Sequence, residues 1–100
     1  MSLLPESVQI YVDQECIKAG VKGNPKYCPI ALACKKYLPK GTVNFVGPLT
    51  MNIGGIDIIS PKEVSPFVRD FDNGNKVEPF DFTLDLTKVF NGNYSSLLEN

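Results

Sequence analysis

The chain contains no histidine and no tryptophan, and Arg69 is its only arginine. Histidine is the commonest general base in enzymes and the commonest metal ligand in proteins. Its absence excludes every catalytic pair that depends on an imidazole, whether serine or cysteine is the nucleophile. No cofactor motif is present in its place. The sequence therefore argues against an enzyme and predicts no cofactor and no metal site.

The chain also lacks a long apolar run, and the longest one extends only from Pro29 to Cys34. A membrane-spanning helix needs ~20 apolar residues. The first residues, Met1 to Glu6, contain neither a basic cluster nor an apolar core, so no secretory signal is predicted. Three cysteines are an odd number, which argues against a disulfide framework. We expect reduced thiols, a cytoplasmic location and no membrane partner.

Neither sign of charge dominates, because ten basic residues face eleven acidic ones and the formal net charge is −1. Such a chain creates no broad electrostatic field, which argues against nucleic acid as a partner. Hydrophobic residues make up 43% and charged residues 21% of the 100 residues, as in ordinary globular domains. We expect residues 1–100 to form one domain, since the chain is long enough for one core and too short for two.

Four segments have the pattern of β-strands. Apolar residues alternate with polar ones in residues 7–12 and 80–86, and residues 42–46 form a short β-prone run. The sharpest signal is Gly54-Gly55, a two-residue turn that predicts a β-hairpin over residues 51–58. Its expected cross-strand pairs are Ile53 with Ile56, Met51 with Ile58, and Asn52 with Asp57.

Two further segments predict helices before the hairpin. Asp13 is positioned to cap a short helix that ends at Gly20. Pro29 favours the start of a second helix, which is nearly all apolar and is expected to be central. With the strands, these elements indicate an α+β fold: a small, mainly antiparallel sheet of about five strands, packed on one face by two to three helices.

A third helix is predicted after the hairpin. Residues 60–63 read Ser-Pro-Lys-Glu, the pattern of a capping box. Apolar residues then recur at helical spacing, at Val64, Phe67, Val68 and Phe71. Pro66 either kinks the second turn or moves the helix start to Ser65. Asn73-Gly74 is expected to end the helix, with Asp72 bonding to that turn.

Two stretches resemble short uncharacterised proteins of phages and bacterial genomes. The first is Tyr27-Cys28-Pro29-Ile30-Ala31-Leu32-Ala33, and the second runs from Phe67 to Phe82 with the pattern F-[IV]-x-D-F-D-x-G-x-x-V-x-P-F-x-F. The resemblance covers about half of the chain. That group has no established activity, so the resemblance implies no catalytic or binding residue. It implies a context, because small phage-type proteins often bind a host protein or sequester a small molecule.

Cys28 has two interpretations. At a helix N-terminus, next to Lys22 and Lys26, the pKa of its thiol would be lowered and the thiolate would be a nucleophile. Alternatively, Cys28 is a small buried residue, which we favour because no histidine could act as its base. The spacing of Cys16, Cys28 and Cys34 lacks a C-x-x-C pair and argues against a metal site.

The segment of residues 22–28 is the best candidate for a binding site. It brings lysines, flexible backbone amides and a helix N-terminus together, which favours an anionic small molecule such as a nucleotide. Arg69 could clamp a phosphate or carboxylate, although an ion pair with a nearby aspartate is its more ordinary use. The predicted ligand-binding residues are Lys22, Gly23, Lys26, Cys28 and Arg69. Asp70, Asp72 and Asp81 are interpreted as solvated surface rather than as paired carboxylates.

Residues 87–100 are predicted to form a C-terminal arm. Its apolar residues favour a contact between copies of the chain, through Val89, Phe90, Tyr94, Leu97 and Leu98. For the whole chain, the leading hypothesis is a non-enzymatic binding protein that captures a host protein or an anionic small molecule. The alternatives are a thiol-dependent enzyme or redox protein using Cys28, and a structural assembly protein.

Overall fold

The computed structural model describes residues 6–87. Within them, three helices and five strands follow one another in the order β1 (Ser7–Val12), α1 (Gln14–Ala19), α2 (Pro29–Tyr37), β2 (Val43–Val46), β3 (Thr50–Ile53), β4 (Ile56–Ile59), α3 (Val64–Asp72) and β5 (Phe80–Asp85). The predicted α+β class is confirmed. The predicted contact residues of the arm, Val89, Phe90, Tyr94, Leu97 and Leu98, lie outside the described residues.

All strand pairs in the described part of the chain are antiparallel, but the strands form two sheets instead of the single sheet expected. β1 pairs with β5, so that Val8 lies opposite Leu84 and Val12 opposite Phe80. β2, β3 and β4 form the second sheet in that order. An alternating pattern fixes which face of a strand is buried, and it contains no information on the partner strand.

The predicted hairpin is confirmed residue by residue. Ile53 lies opposite Ile56, Met51 opposite Ile58, and Asn52 opposite Asp57. Gly54 and Gly55 both have positive φ, at 63° and 87°. A two-residue turn of this kind requires positive φ at both positions, which glycine adopts without steric cost.

α2 is the central helix, as its apolar sequence predicts. It contacts α1 and a strand of each sheet, β1 and β2. Because neighbours surround it on several sides, most of its residues are fully buried, including Ile30, Ala31, Ala33 and Cys34. Among residues 6–87, no helix is long and apolar enough to cross a bilayer.

α3 buries its predicted apolar stripe, Val64, Phe67, Val68 and Phe71. The Phe67 ring packs on Phe80 of β5 with 4.9 Å between the ring centroids. The predicted capping box is wrong, because the Ser60 hydroxyl donates to the carbonyl of Gly47 at 2.9 Å and the helix begins at Val64. Pro66 is then the third helical residue, where a backbone N–H has no helical partner, so no kink is needed.

Candidate functional site

An open cleft of about 300 Å³ lies where the loop of residues 21–28 meets the end of β2 and the side of α3. Most of its lining side chains are apolar. The lining residues are Gly23, Asn24, Pro25, Cys28, Phe45, Val46, Gly47, Pro48, Val68 and Asp72. Three of the chain's segments, distant in sequence, therefore form one concave surface.

The loop of residues 21–28 is fixed in place by hydrogen bonds from two other elements. The backbone N–H of Val46 in β2 donates to the carbonyl of Pro25 at 2.8 Å. The Nζ of Lys35 in α2 donates to the carbonyl of Lys26 at 2.7 Å and lies 4.6 Å from the centroid of the Tyr27 ring. These bonds make the loop an ordered wall of the cleft.

Asp72 joins the same loop to α3. Its Oδ1 accepts a hydrogen bond from the backbone N–H of Gly23 at 2.8 Å. The prediction that Asp72 bonds to the Asn73-Gly74 turn is therefore wrong, since the carboxylate contacts a residue 49 positions earlier. Lys22 lies nearby, with its Nζ 3.3 Å from the position that a Cβ on Gly74 would occupy. One of the amides predicted to bind an anion, that of Gly23, therefore already donates its hydrogen bond to a carboxylate of the chain itself.

Cys28 caps α2 from a buried position. Only 3% of its surface is exposed, and its Sγ accepts a hydrogen bond from the backbone N–H of Ala31 at 3.4 Å. Burial raises the pKa of the Cys28 thiol, against the lowering effect of the helix amides. This geometry favours a structural thiol. It also means that the Ala31 amide is engaged by the helix's own cap rather than left open.

Arg69 and the other two aspartates lie outside the lining of the cleft. Arg69 is exposed and forms no ion pair with any of residues 6–87, so its expected pairing with an aspartate is wrong. Asp70 accepts from the Nδ2 of Asn75 at 3.5 Å, and Asp81 accepts from Gln9 of β1. Because Asp70, Asp72 and Asp81 contact different partners, their arrangement favours the solvated-surface interpretation.

The loop that forms one wall of the cleft belongs to a lysine-rich stretch of the sequence, which the near-zero net charge does not reveal. Between Glu15 and Asp57 the sequence contains no acidic residue and six lysines, all exposed: Lys18, Lys22, Lys26, Lys35, Lys36 and Lys40. Within the described residues only Lys36 of these forms an ion pair, with Asp13 at 3.3 Å. Charge counted along the chain, rather than in total, would have indicated this stretch.

The described residues provide neither a group of metal-ligating side chains nor an unsatisfied buried polar side-chain atom. Among residues 6–87, no three histidine, cysteine, aspartate or glutamate side chains form a group that could hold a metal ion. In the same range, every buried side-chain nitrogen or oxygen has a hydrogen-bond partner. What the cleft offers is apolar surface of a definite shape beside unpaired positive charge.

Comparison of the chain with protein-family models, with curated proteins and with solved structures gave no match. The function is accordingly inferred from the residues of the cleft and its surroundings.

Proposed function

We propose that this chain is a non-enzymatic binding protein that captures a partner protein, and that the cleft receives an apolar side chain of that partner. The resemblance to short proteins of phages and bacterial genomes is compatible with a host protein as that partner, and this is the partner that we propose. A cytoplasmic location is part of the proposal, and it is supported by three cysteines that are all free.

The observation that carries the proposal is the cleft itself. Its volume of about 300 Å³ lies at the lower end of the range for binding pockets. Apolar contact is supplied by the loop, the end of β2 and α3, through Pro25, Phe45, Val46, Pro48 and Val68. When an apolar anchor enters such a pocket, its surface and that of the pocket are removed from water. Burial of this kind supplies much of the binding energy of protein interfaces.

The arrangement of the chemically active groups supports a binding role rather than catalysis. Cys28, the candidate nucleophile of the alternative hypothesis, is buried, and burial raises the pKa of its thiol. The sequence supplies no histidine to act as its base. A thiol-dependent reaction at Cys28 would need both an exposed sulfur and a proton acceptor.

A small anion such as a nucleotide is the less favoured ligand. Of the predicted ligand-binding residues, Gly23 and Cys28 line the cleft, whereas Lys22, Lys26 and Arg69 do not. The Gly23 amide is already paired with Asp72, and the Ala31 amide is paired with the Cys28 sulfur. A phosphate would have to displace a carboxylate from the first of these amides.

The proposal is tested by NMR titration of the ¹⁵N-labelled full chain with N-acetyl-phenylalaninamide, a neutral apolar side-chain mimic. We expect amide shifts at Gly23, Asn24 and Gly47. The variant Pro48→Trp should fill the cleft and abolish these shifts. Leu49→Trp is the matched control, because Leu49 is an exposed neighbour that does not line the cleft. Shifts that persist in Pro48→Trp would refute the proposal.

A further inference from the structure

We infer that the partner segment that enters the cleft is acidic, with aspartate or glutamate residues beside its apolar anchor. This inference rests on the proposed function and adds to it the chemistry of the partner. It follows from the positions and the pairing of the lysines around the cleft.

The lysines closest to the cleft belong to the loop that forms its wall. Lys22 and Lys26 flank Gly23, Asn24 and Pro25, three consecutive residues of the lining. Both lysines are exposed, and neither forms an ion pair with any of the described residues. A ligand in the cleft would therefore contact a loop whose two flanking lysines have no carboxylate partner among the described residues.

Lys35 extends this positive surface along α2. Its ammonium group is held between the Lys26 carbonyl and the Tyr27 ring, so it is tied to the same loop. Tyr27 is itself 51% exposed. Its ring presents apolar area next to the charges, a combination that protein interfaces use often.

The carboxylate that lines the cleft is already hydrogen-bonded. Asp72 lines the cleft, but its Oδ1 accepts the Gly23 N–H. Asp13, which precedes the lysine-rich stretch, is paired with Lys36. The loop of residues 21–28 contains two lysines without an ion pair among the described residues, and it contains no acidic residue. An acidic segment of the partner complements this positive charge. Such charges speed association and select between partners more than they add affinity, and salt screens them.

The test starts from selection of a random peptide library on the immobilised full chain, with the Pro48→Trp variant selected in parallel. We expect peptides with an aromatic or aliphatic residue flanked by aspartate or glutamate, and we expect them to be lost on Pro48→Trp. Apolar peptides that depend on the cleft but show no acidic enrichment would overturn this inference and leave the proposed function standing. If no selected peptide depends on the cleft, both are overturned. Acidic peptides that Pro48→Trp retains would show binding by charge alone and also overturn the inference.

A selected peptide, labelled with fluorescein, then gives the contribution of the lysines by anisotropy. Lys22→Ala with Lys26→Ala should weaken binding about five- to tenfold at low salt, and the difference should shrink as salt is added. Lys18→Ala with Lys40→Ala removes the same charge from exposed positions outside the cleft, and should change affinity less than twofold. Equal losses in the two double variants would overturn the inference.

Discussion

At the scale of single residues, the Cys28 thiol is the most direct check on the distinction between binding and catalysis. Because burial raises its pKa, little thiolate is present near neutral pH. We expect slow alkylation of Cys28 by iodoacetamide in the folded chain, at a rate below that of a free cysteine. Mass spectrometry of digests at a series of pH values measures this. Rapid labelling of Cys28 at neutral pH would favour the thiol-enzyme hypothesis instead.

Burial of the Cys34 thiol makes the free energy of unfolding depend on pH. Burial raises its pKa from the ordinary value of 9.0 to about 12. The unfolded chain releases this proton above pH 9, whereas the folded chain retains it, so the stability contribution is lost as pH rises. Between pH 9 and about pH 12, we expect the free energy of unfolding to fall by roughly 1 kcal/mol per pH unit.

Urea titrations at several alkaline pH values measure that slope. Cys34→Ala is the comparison, since it removes the thiol and should make the pH dependence shallower even though it lowers stability by creating a cavity. Parallel pH profiles for the two proteins would contradict the assignment of the slope to Cys34.

At the scale of elements, the junction of α1 and α2 depends on the absence of a side chain at Gly20. Gly20 has φ −66° and ψ 151°, a backbone conformation open to any residue. A Cβ there would lie 2.6 Å from both Cδ and Cγ of Pro29. We expect Gly20→Ala to lower the free energy of unfolding by about 1–3 kcal/mol, measured by urea unfolding. Lys18→Ala, an exposed change on α1, should stay within about 0.5 kcal/mol.

A double-mutant cycle identifies the cause of that loss. If the clash with Pro29 is responsible, Gly20→Ala combined with Pro29→Ala should be more stable than the sum of the two single changes predicts. Additive effects would mean that Gly20 acts through some other contact.

The elements also show where sequence patterns suffice and where they fail. The hairpin was predictable to the residue because the Gly54-Gly55 turn fixes the register of strands that adjoin it in sequence. The role of Ser60 was not predictable, because its hydroxyl donates to the carbonyl of Gly47, an acceptor that is distant in sequence, instead of capping the helix. Local rules hold when both partners are close in sequence. Gly20 ends its helix as predicted, but the need for glycine there comes from its packing against Pro29.

At the scale of the whole molecule, the sequence did not disclose which strands pair, and its total charge hid a lysine-rich stretch that a count along the chain shows. About five strands were expected and residues 6–87 contain five, yet their division into two sheets depends on which strands meet. The segment of residues 22–28 was predicted as an anion site from its lysines, amides and helix N-terminus; its residues Gly23, Asn24, Pro25 and Cys28 line a cleft whose other walls come from the end of β2 and from α3. A net charge of −1 suggested no electrostatic preference, although the acid-free, lysine-rich stretch borders the cleft.

The bond between Asp72 and Gly23 tests whether this surface is held by contacts across the molecule. Asp72→Ala removes the acceptor of the Gly23 N–H and with it the tie between α3 and the loop. We expect the Gly23 amide to exchange with solvent about tenfold faster, as loss of one hydrogen bond implies. The melting temperature should change little, since Asp72 is exposed. Amide hydrogen exchange followed by NMR measures the effect.

Two matched variants separate the hydrogen bond from the loss of charge. Asp72→Asn retains an acceptor oxygen and should keep most of the protection at Gly23. Asp70→Ala removes an exposed aspartate from the same helix, one whose carboxylate contacts Asn75 instead, and should leave Gly23 unchanged. If Gly23 exchanges equally fast in Asp72→Ala and in the wild type, the loop is held by its bonds to Val46 and Lys35 alone. The lysine side chains of the loop would then keep their positions beside the cleft without any contribution from α3.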